Sequence, residues 1–173
     1  YNYFGGHQHS EGLQGTCRGL YDYNTLTSDE AMIPTRGGDW YDGGLWKNLY
    51  QHKWSANDIY LYDIWKYLYK VIMLSNKSLA DIESHKGALS YDQYKCFTAE
   101  VRAIRALYYW YAMDMFGNIP LVTSYNVKLE QVVQNKRSEV FQFIVDELQQ
   151  AAPLLADARS NKAGDYYGRI TRP

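Results

Sequence analysis

Cysteine is scarce: Cys17 and Cys96 are the only two among 173 residues. A disulfide framework is excluded, as is a zinc site built on thiolates alone, so the pair is either free or joined in one bridge. Four prolines against 46% hydrophobic residues exclude a collagen-like or disordered chain and favour a packed globule of about one domain. No run of 18 apolar residues occurs, so no segment would cross a bilayer as a helix. Positive charge is not concentrated either: 18 Lys and Arg face 19 Asp and Glu for a formal charge of -1, and no basic stripe runs along the chain. Nucleic acid is thereby set aside as a principal partner, because phosphate binding needs clustered cations. The chain opens at Tyr1 with no basic region, apolar core or lipobox, which places any targeting signal outside this sequence.

Catalytic signatures are missing as well. There is no G-x-S-x-G elbow, no H-E-x-x-H pair, and none of the glycine spacings of nucleotide loops. His7 and His9 alternate beside Ser10 and Glu11, but two histidines without a third ligand are a weak metal signal, and no metal or cofactor is expected. The acid pairs Asp29–Glu30 and Asp39–Asp42 lack an activated partner, and Asp29 after Thr27 and Ser28 equally suits a helix cap. An enzyme is not expected.

What is abundant is aromatic surface. Eighteen tyrosines, five tryptophans and five phenylalanines make up 16% of the chain. A buried phenol must find a hydrogen-bond partner. Either the helices pack through amphipathic rings, or some rings line a surface that holds something flat and partly polar.

Residues 1–54 show no sustained period and are punctuated by glycines, which predicts a long ordered coil with a short helix near Arg18 to Tyr23. Residues 55–173 read as helices and connecting loops. Ser55 with Asp58 resembles a capping box ahead of Leu61, Ile64, Leu68, Val71, Ile72, Ser75, Leu79 and Ile82, predicting a helix over Asn57 to Ile82. Ser90 with Gln93 repeats that signature before a second helix over Tyr91 to Phe116, whose apolar stripe holds Phe97, Val101, Ile104, Tyr108, Tyr111 and Met115. A second face carries Ala99, Ala103, Ala106, Trp110 and Met113. Gly117, Asn118 and Pro120 should stop it, with Leu121 to Tyr125 extended. A third helix is expected over Glu139 to Leu155, beginning near Ser138 and kinked by Pro153, before a polar loop from Asp157 to Tyr167. Long helices with short links form antiparallel hairpins, so the fold class is all-α, with the first two helices paired.

The densest chemistry lies in Thr35-Arg36-Gly37-Gly38-Asp39-Trp40-Tyr41-Asp42-Gly43-Gly44-Leu45-Trp46. Asp39 and Asp42 offer acceptors beside Trp40, Tyr41 and Trp46, a combination suited to a sugar whose apolar face lies on an indole. Equally, the rings could pack as a lid on the helices while the acids satisfy turn amides. In the second helix, Arg102, Arg105 and Tyr109 share a face near Glu100, and a structural charge network is expected there. Its carboxylate partner is sought in Asp81 or Glu83 of the preceding helix, or in the loop.

The run from Ala99-Glu100-Val101-Arg102-Ala103-Ile104-Arg105-Ala106-Leu107-Tyr108-Tyr109-Trp110 to Asp114-Met115-Phe116-Gly117-Asn118-Ile119-Pro120-Leu121-Val122 resembles the signature helix and exit of the SusD/RagB family of outer-membrane nutrient-binding lipoproteins. Ser28-Asp29-Glu30-Ala31 with Pro34 to Gly44, Ile64 to Asn76, Glu139 to Leu155 and Tyr167-Gly168-Arg169 are similar too, so the likeness covers nearly the whole chain from Tyr21. The resemblance implies tetratricopeptide-like hairpins behind a glycine-rich, aromatic N-terminal loop region, and a chain that is the amino-terminal part of a longer protein. It implies non-catalytic binding of oligosaccharides on the bacterial surface, for uptake through a TonB-dependent outer-membrane transporter of the SusC-like kind. Anchorage would come from an N-terminal lipidated cysteine of the full-length protein, which Cys17, lying within the chain, does not supply. A peptide-binding or protein-docking scaffold is the alternative. Carried onto this sequence, the family's aromatic arc falls on Asp39, Trp40, Tyr41, Asp42 and Trp46.

Overall fold

Among the residues described by the computed structural model (1–6, 9–14, 17–157 and 168–172), regular structure is almost entirely helical. They fall into two units, Tyr1–Tyr67 and Leu68–Pro173. Most of the loop expected from Asp157 to Tyr167 lies outside the described residues.

In the first unit, α1 (Leu20–Leu26) begins behind Gly19, two residues later than the expected Arg18 start, and buries Leu20, Tyr23 and Leu26. A second short helix, α2 (Leu45–Tyr50), stands where the sequence predicted coil; six residues are too few for a period to show, yet Trp46 and Leu49 are buried on it. The next helix, α3 (Ile59–Ser84), starts later than expected because the Ser55 box does not form. Ser55 Oγ accepts only the Asn57 amide. Asp58 is the capping side chain: its Oδ1 accepts the amides of Tyr60 and Leu61 and the Tyr23 hydroxyl. Nor does Asp29 cap a helix, since residues 28–35 form bends and coil.

In the second unit, α3 continues with Leu68, Val71, Ile72 and Ser75 buried in the predicted spacing. The Ser90 capping box opens α4 (Tyr91–Phe116), as the sequence predicted, and Gly117 at φ 72° closes it. The pairing of α3 with α4 is antiparallel: Glu83 accepts the Tyr94 hydroxyl, Asn76 meets Arg105, and the Tyr69 ring sits edge-on to Tyr109, so partners fall in one helix as they rise in the other. The face of α4 carrying Ala99, Ala103 and Ala106 is deeply buried, although Trp110 further along it is exposed, as is Phe97 on the other stripe. Small residues admit a close neighbour, and that neighbour is α5 (Arg137–Ala151), followed by a 3-10 turn Ala152–Leu154 that contains Pro153. The third helix thus begins earlier and ends earlier than expected, with Glu139 accepting the Lys136 amide at its start.

The extended segment lies a little ahead of its predicted place. Ile119–Pro120 (β1) pairs antiparallel with Gln134–Asn135 (β2), Ile119 opposite Asn135. Three helix side chains clamp the segment: Tyr69 Oη donates to the Pro120 carbonyl at 2.6 Å, Asn76 Nδ2 to the Val122 carbonyl at 2.9 Å, and Tyr109 Oη both donates to that carbonyl and accepts the Val122 amide, each at 2.7 Å. Burial pushes the Tyr109 hydroxyl up to about 12, and raises that of Tyr69 as well. The tyrosine excess therefore has a structural use, since a phenol buries a ring while its tip ties a loop down.

Candidate functional site

The glycine-rich loop is built by two local devices. Arg36 and Asp39 exchange both backbone hydrogen bonds, 3.1 and 3.0 Å, across Gly37-Gly38, with Gly37 at φ 62°. This short hairpin projects the next two side chains. Trp40 and Asp42 then adopt φ 58° and 40°, a left-handed backbone that costs a non-glycine residue roughly 1 to 3 kcal/mol and persists only when its surroundings enforce it. The amide of Gly44 closes onto the Tyr41 carbonyl at 2.6 Å, delivering the chain into α2.

The five loop residues divide sharply. Trp40 and Tyr41 are 54% and 58% exposed, while Trp46 is 2% exposed. Trp46 donates its indole N–H to Asp42 Oδ2 at 2.6 Å, and the other oxygen of Asp42 pairs with Arg18 Nη2 at 3.0 Å. Both oxygens of Asp42 are thus engaged, one with Trp46 and one with Arg18, while the next acid of the loop, Asp39, is exposed. Trp40 meets Trp46 edge-on, with centroids 6.1 Å apart. The arrangement is an exposed indole and phenol backed by a buried indole. Sequence reasoning did not find Arg18, whose guanidinium stands 5.7 Å from the Trp46 ring centroid and 5.3 Å from that of Tyr60. No linear motif connects these residues; only the fold brings them together.

The charge network exists with a partner other than the one expected. Glu147, 3% exposed on α5, receives Arg102 Nε and Nη2 on one oxygen at 2.9 and 2.6 Å, and Arg105 Nε and Nη2 on the other at 3.1 and 2.5 Å. Arg105 also donates to Asn76 Oδ1 at 2.8 Å. Asp81 instead pairs with Lys77 and Glu83 accepts from Tyr94, so the sequence-based partners are already taken by residues nearer to them. The reason is geometric: Arg102 and Arg105 sit on the α4 face turned toward α5. Glu100 belongs to a separate pair, receiving Arg169 at 3.0 and 2.5 Å, and Cys96 donates to it. Cys17 and Cys96 are both free, which resolves the open choice between thiols and a bridge.

Beside this network lies an apolar groove of about 450 Å³, lined among others by Ala103, Leu107, Trp110, Ile144, Leu148 and Ile170. Among the described residues no three His, Cys, Asp or Glu side chains gather as a metal site; His7 lies outside them. Among those residues no helix is long and apolar enough to cross a membrane.

These features coincide with a known family. Residues 21–172 match the SusD-like family model described as starch-binding associating with outer membrane, and the chain belongs to that family. It is 27% identical over 146 residues to the starch-binding protein SusD of Bacteroides thetaiotaomicron, with 80% of this chain and 23% of that protein covered. To a SusD-like protein of Bacteroides ovatus it is 25% identical over 146 residues, covering 81% of this chain and 26% of the relative. The solved structure of a laminarin-binding SusD-like protein superposes with a TM-score of 0.66 at 25% identity, over 88% of this chain and 35% of that one. The chain thus spans about a quarter of the length of these curated relatives. The all-α, tetratricopeptide-like reading agrees with the helical content and with these likenesses.

Proposed function

We propose that the chain supplies part of the binding surface of a non-catalytic, surface-exposed and lipid-anchored outer-membrane protein. That protein would hold an oligosaccharide or polysaccharide for uptake through a SusC-like, TonB-dependent transporter. The observation that carries this reading is the exposed Trp40–Tyr41 pair braced from behind by buried Trp46, with Asp39 beside it. An exposed indole is a platform for the apolar side of a pyranose, and a nearby carboxylate accepts from its hydroxyls. The relatives named for starch and laminarin support the sugar class.

Calorimetry on the full-length protein with starch and laminarin oligosaccharides tests the reading. Trp40→Ala should weaken binding roughly tenfold or more, in line with loss of an aromatic anchor, without lowering the melting temperature. Unchanged affinity would remove the loop from the site. A protein or peptide cargo is the second reading, favoured by the apolar groove beside Trp110. Under it, Trp110→Ala rather than Trp40→Ala would abolish capture of the cargo.

A further inference from the structure

We infer that Arg18 is the positioning residue of the aromatic loop: from the segment just ahead of α1 it fixes the exposed Trp40 by way of Asp42 and Trp46. Three observations converge on it. First, its guanidinium stands over both the Trp46 and the Tyr60 ring, at 5.7 and 5.3 Å from their centroids, within the range at which a cation is drawn to an aromatic face. Second, its Nη2 pairs with Asp42 Oδ1 at 3.0 Å, while the second oxygen of that carboxylate receives the Trp46 indole N–H at 2.6 Å. One side chain therefore fixes both the acid and the buried ring that back the platform. Third, the guanidinium is itself held. Nη1 donates to Cys17 Sγ at 3.0 Å, and the Arg18 amide donates to Asp22 Oδ2 at 2.6 Å while the residue adopts φ 64°. Arg18 Nε is buried with no hydrogen-bond partner among the described residues.

The consequence follows from the backbone of the loop. Trp40 and Asp42 both hold left-handed conformations that they would leave if free to relax. Asp42 is kept there by two bonds, one from Arg18 and one from Trp46, and Trp40 leans on Trp46. Without the guanidinium, the carboxylate loses its cationic partner and the Trp46 ring loses the cation on its face. Trp40 is then no longer held in one orientation. A flat cation with several donors suits this place, since it can bridge the acid and stand over two rings together.

The inference concerns the order of the platform, and only its binding arm rests on the carbohydrate reading given above. The experiment therefore has two arms. In the first, the full-length protein is labelled with 5-fluorotryptophan and the resonances are assigned by single Trp→Phe variants. Arg18→Met should shift or split the Trp40 and Trp46 resonances and leave those of Trp54 and Trp110 in place. Arg18→Lys, which restores a cation without the planar fork, should return both part of the way. Unchanged Trp40 and Trp46 resonances in Arg18→Met would overturn the inference. So would displacement of all the tryptophans together, or identical spectra for the Met and Lys variants. In the second arm, starch and laminarin oligosaccharides are titrated into the same proteins. Arg18→Met should weaken whichever probe binds at least tenfold, with Arg18→Lys intermediate. Equal affinities for the wild type and Arg18→Met would overturn the positioning role. If neither probe binds the wild type, the carbohydrate reading fails while the fluorine spectra still decide for or against Arg18.

Discussion

Residues 1–67 and 68–173 solve the same problem, how to hold backbone that is not helical, by different means. In the first unit the loop is held by a charged side chain set over two rings, and α1 is tied to the start of α3 through the Tyr23–Asp58 bond. The second unit holds its extended segment by phenol and amide tips reaching out from helices that already pack by their apolar faces. The difference lies in where the aromatic surface goes. Around the backbone each unit holds, Trp40 and Tyr41 of the first stand in solvent, whereas Tyr109 of the second is fully buried; elsewhere both units do both, with Tyr23 in the core of the first and Trp110 at the surface of the second. Rings spent on a core cannot also meet a ligand, so under the carbohydrate reading proposed above the loop of the first unit would meet the cargo while the buried rings of the second keep its backbone fixed.

The sharpest way to break that assignment is Glu147→Ala. It removes a buried carboxylate and strands two arginines, which should cost about 3 to 5 kcal/mol in a denaturant melt. Replacing Glu147, Arg102 and Arg105 together with apolar residues of similar size should recover most of that loss. A triple variant as unstable as Glu147→Ala would show that the charges themselves stabilise the second unit rather than fix its register.

Tyr109→Phe comes next. It deprives the buried Val122 amide of its acceptor, and leaving such a group unsatisfied costs about 1 to 3 kcal/mol. The same residue gives the comparison a pH dependence. Its hydroxyl is pushed up to about 12 by burial, against about 10 in an unfolded chain, so the folded state holds that proton more tightly. Its contribution is whole below about pH 10 and is lost as the pH climbs through about 12. Stability measured across that window should fall in the wild type and fall less steeply in Tyr109→Phe.

In the first unit, Asp58→Ala removes an acceptor shared by two amides and the Tyr23 hydroxyl, and should cost about 0.5 to 2 kcal/mol. The smallest effect on folding is expected at Trp40→Ala, within about 0.5 kcal/mol, because more than half of that side chain is already in water. A large drop in melting temperature there would erase the distinction between the two units.

The second unit was the more legible in sequence. Its helices are long enough for the 3.6-residue period to declare itself, and the Ser90–Gln93 box and Gly117 mark the ends of α4 by local chemistry alone. What sequence missed depends on long-range geometry. Two arginines on one helix face signal the need for a carboxylate, but Glu147 lies 45 and 42 residues beyond Arg102 and Arg105, and acids nearer in sequence look equally eligible. The Ser55 start fails because the charged carboxylate of Asp58 caps the amides of Tyr60 and Leu61 and so sets the helix start beyond itself, while Ser55 Oγ holds only the Asn57 amide. In the loop, residue types announced an aromatic and acidic cluster, but not that Trp46 turns inward while Trp40 turns outward, nor that Arg18 comes to stand beside them.

The placement of Glu147 also bears on how the chain is made. During synthesis from the amino terminus, Arg105 emerges 42 residues before the carboxylate that neutralises it. Until then the growing hairpin of α3 and α4 carries two guanidinium groups with no carboxylate, Arg105 having only the Asn76 amide oxygen, beside its alanine-rich face. Desolvating those charges against a wrong hydrophobic surface is costly, so that face stays unavailable to intruders until an element bearing an acid at the matching position arrives. Ribosome-bound chains arrested before α5 should therefore bind an anionic probe that chains arrested beyond it do not.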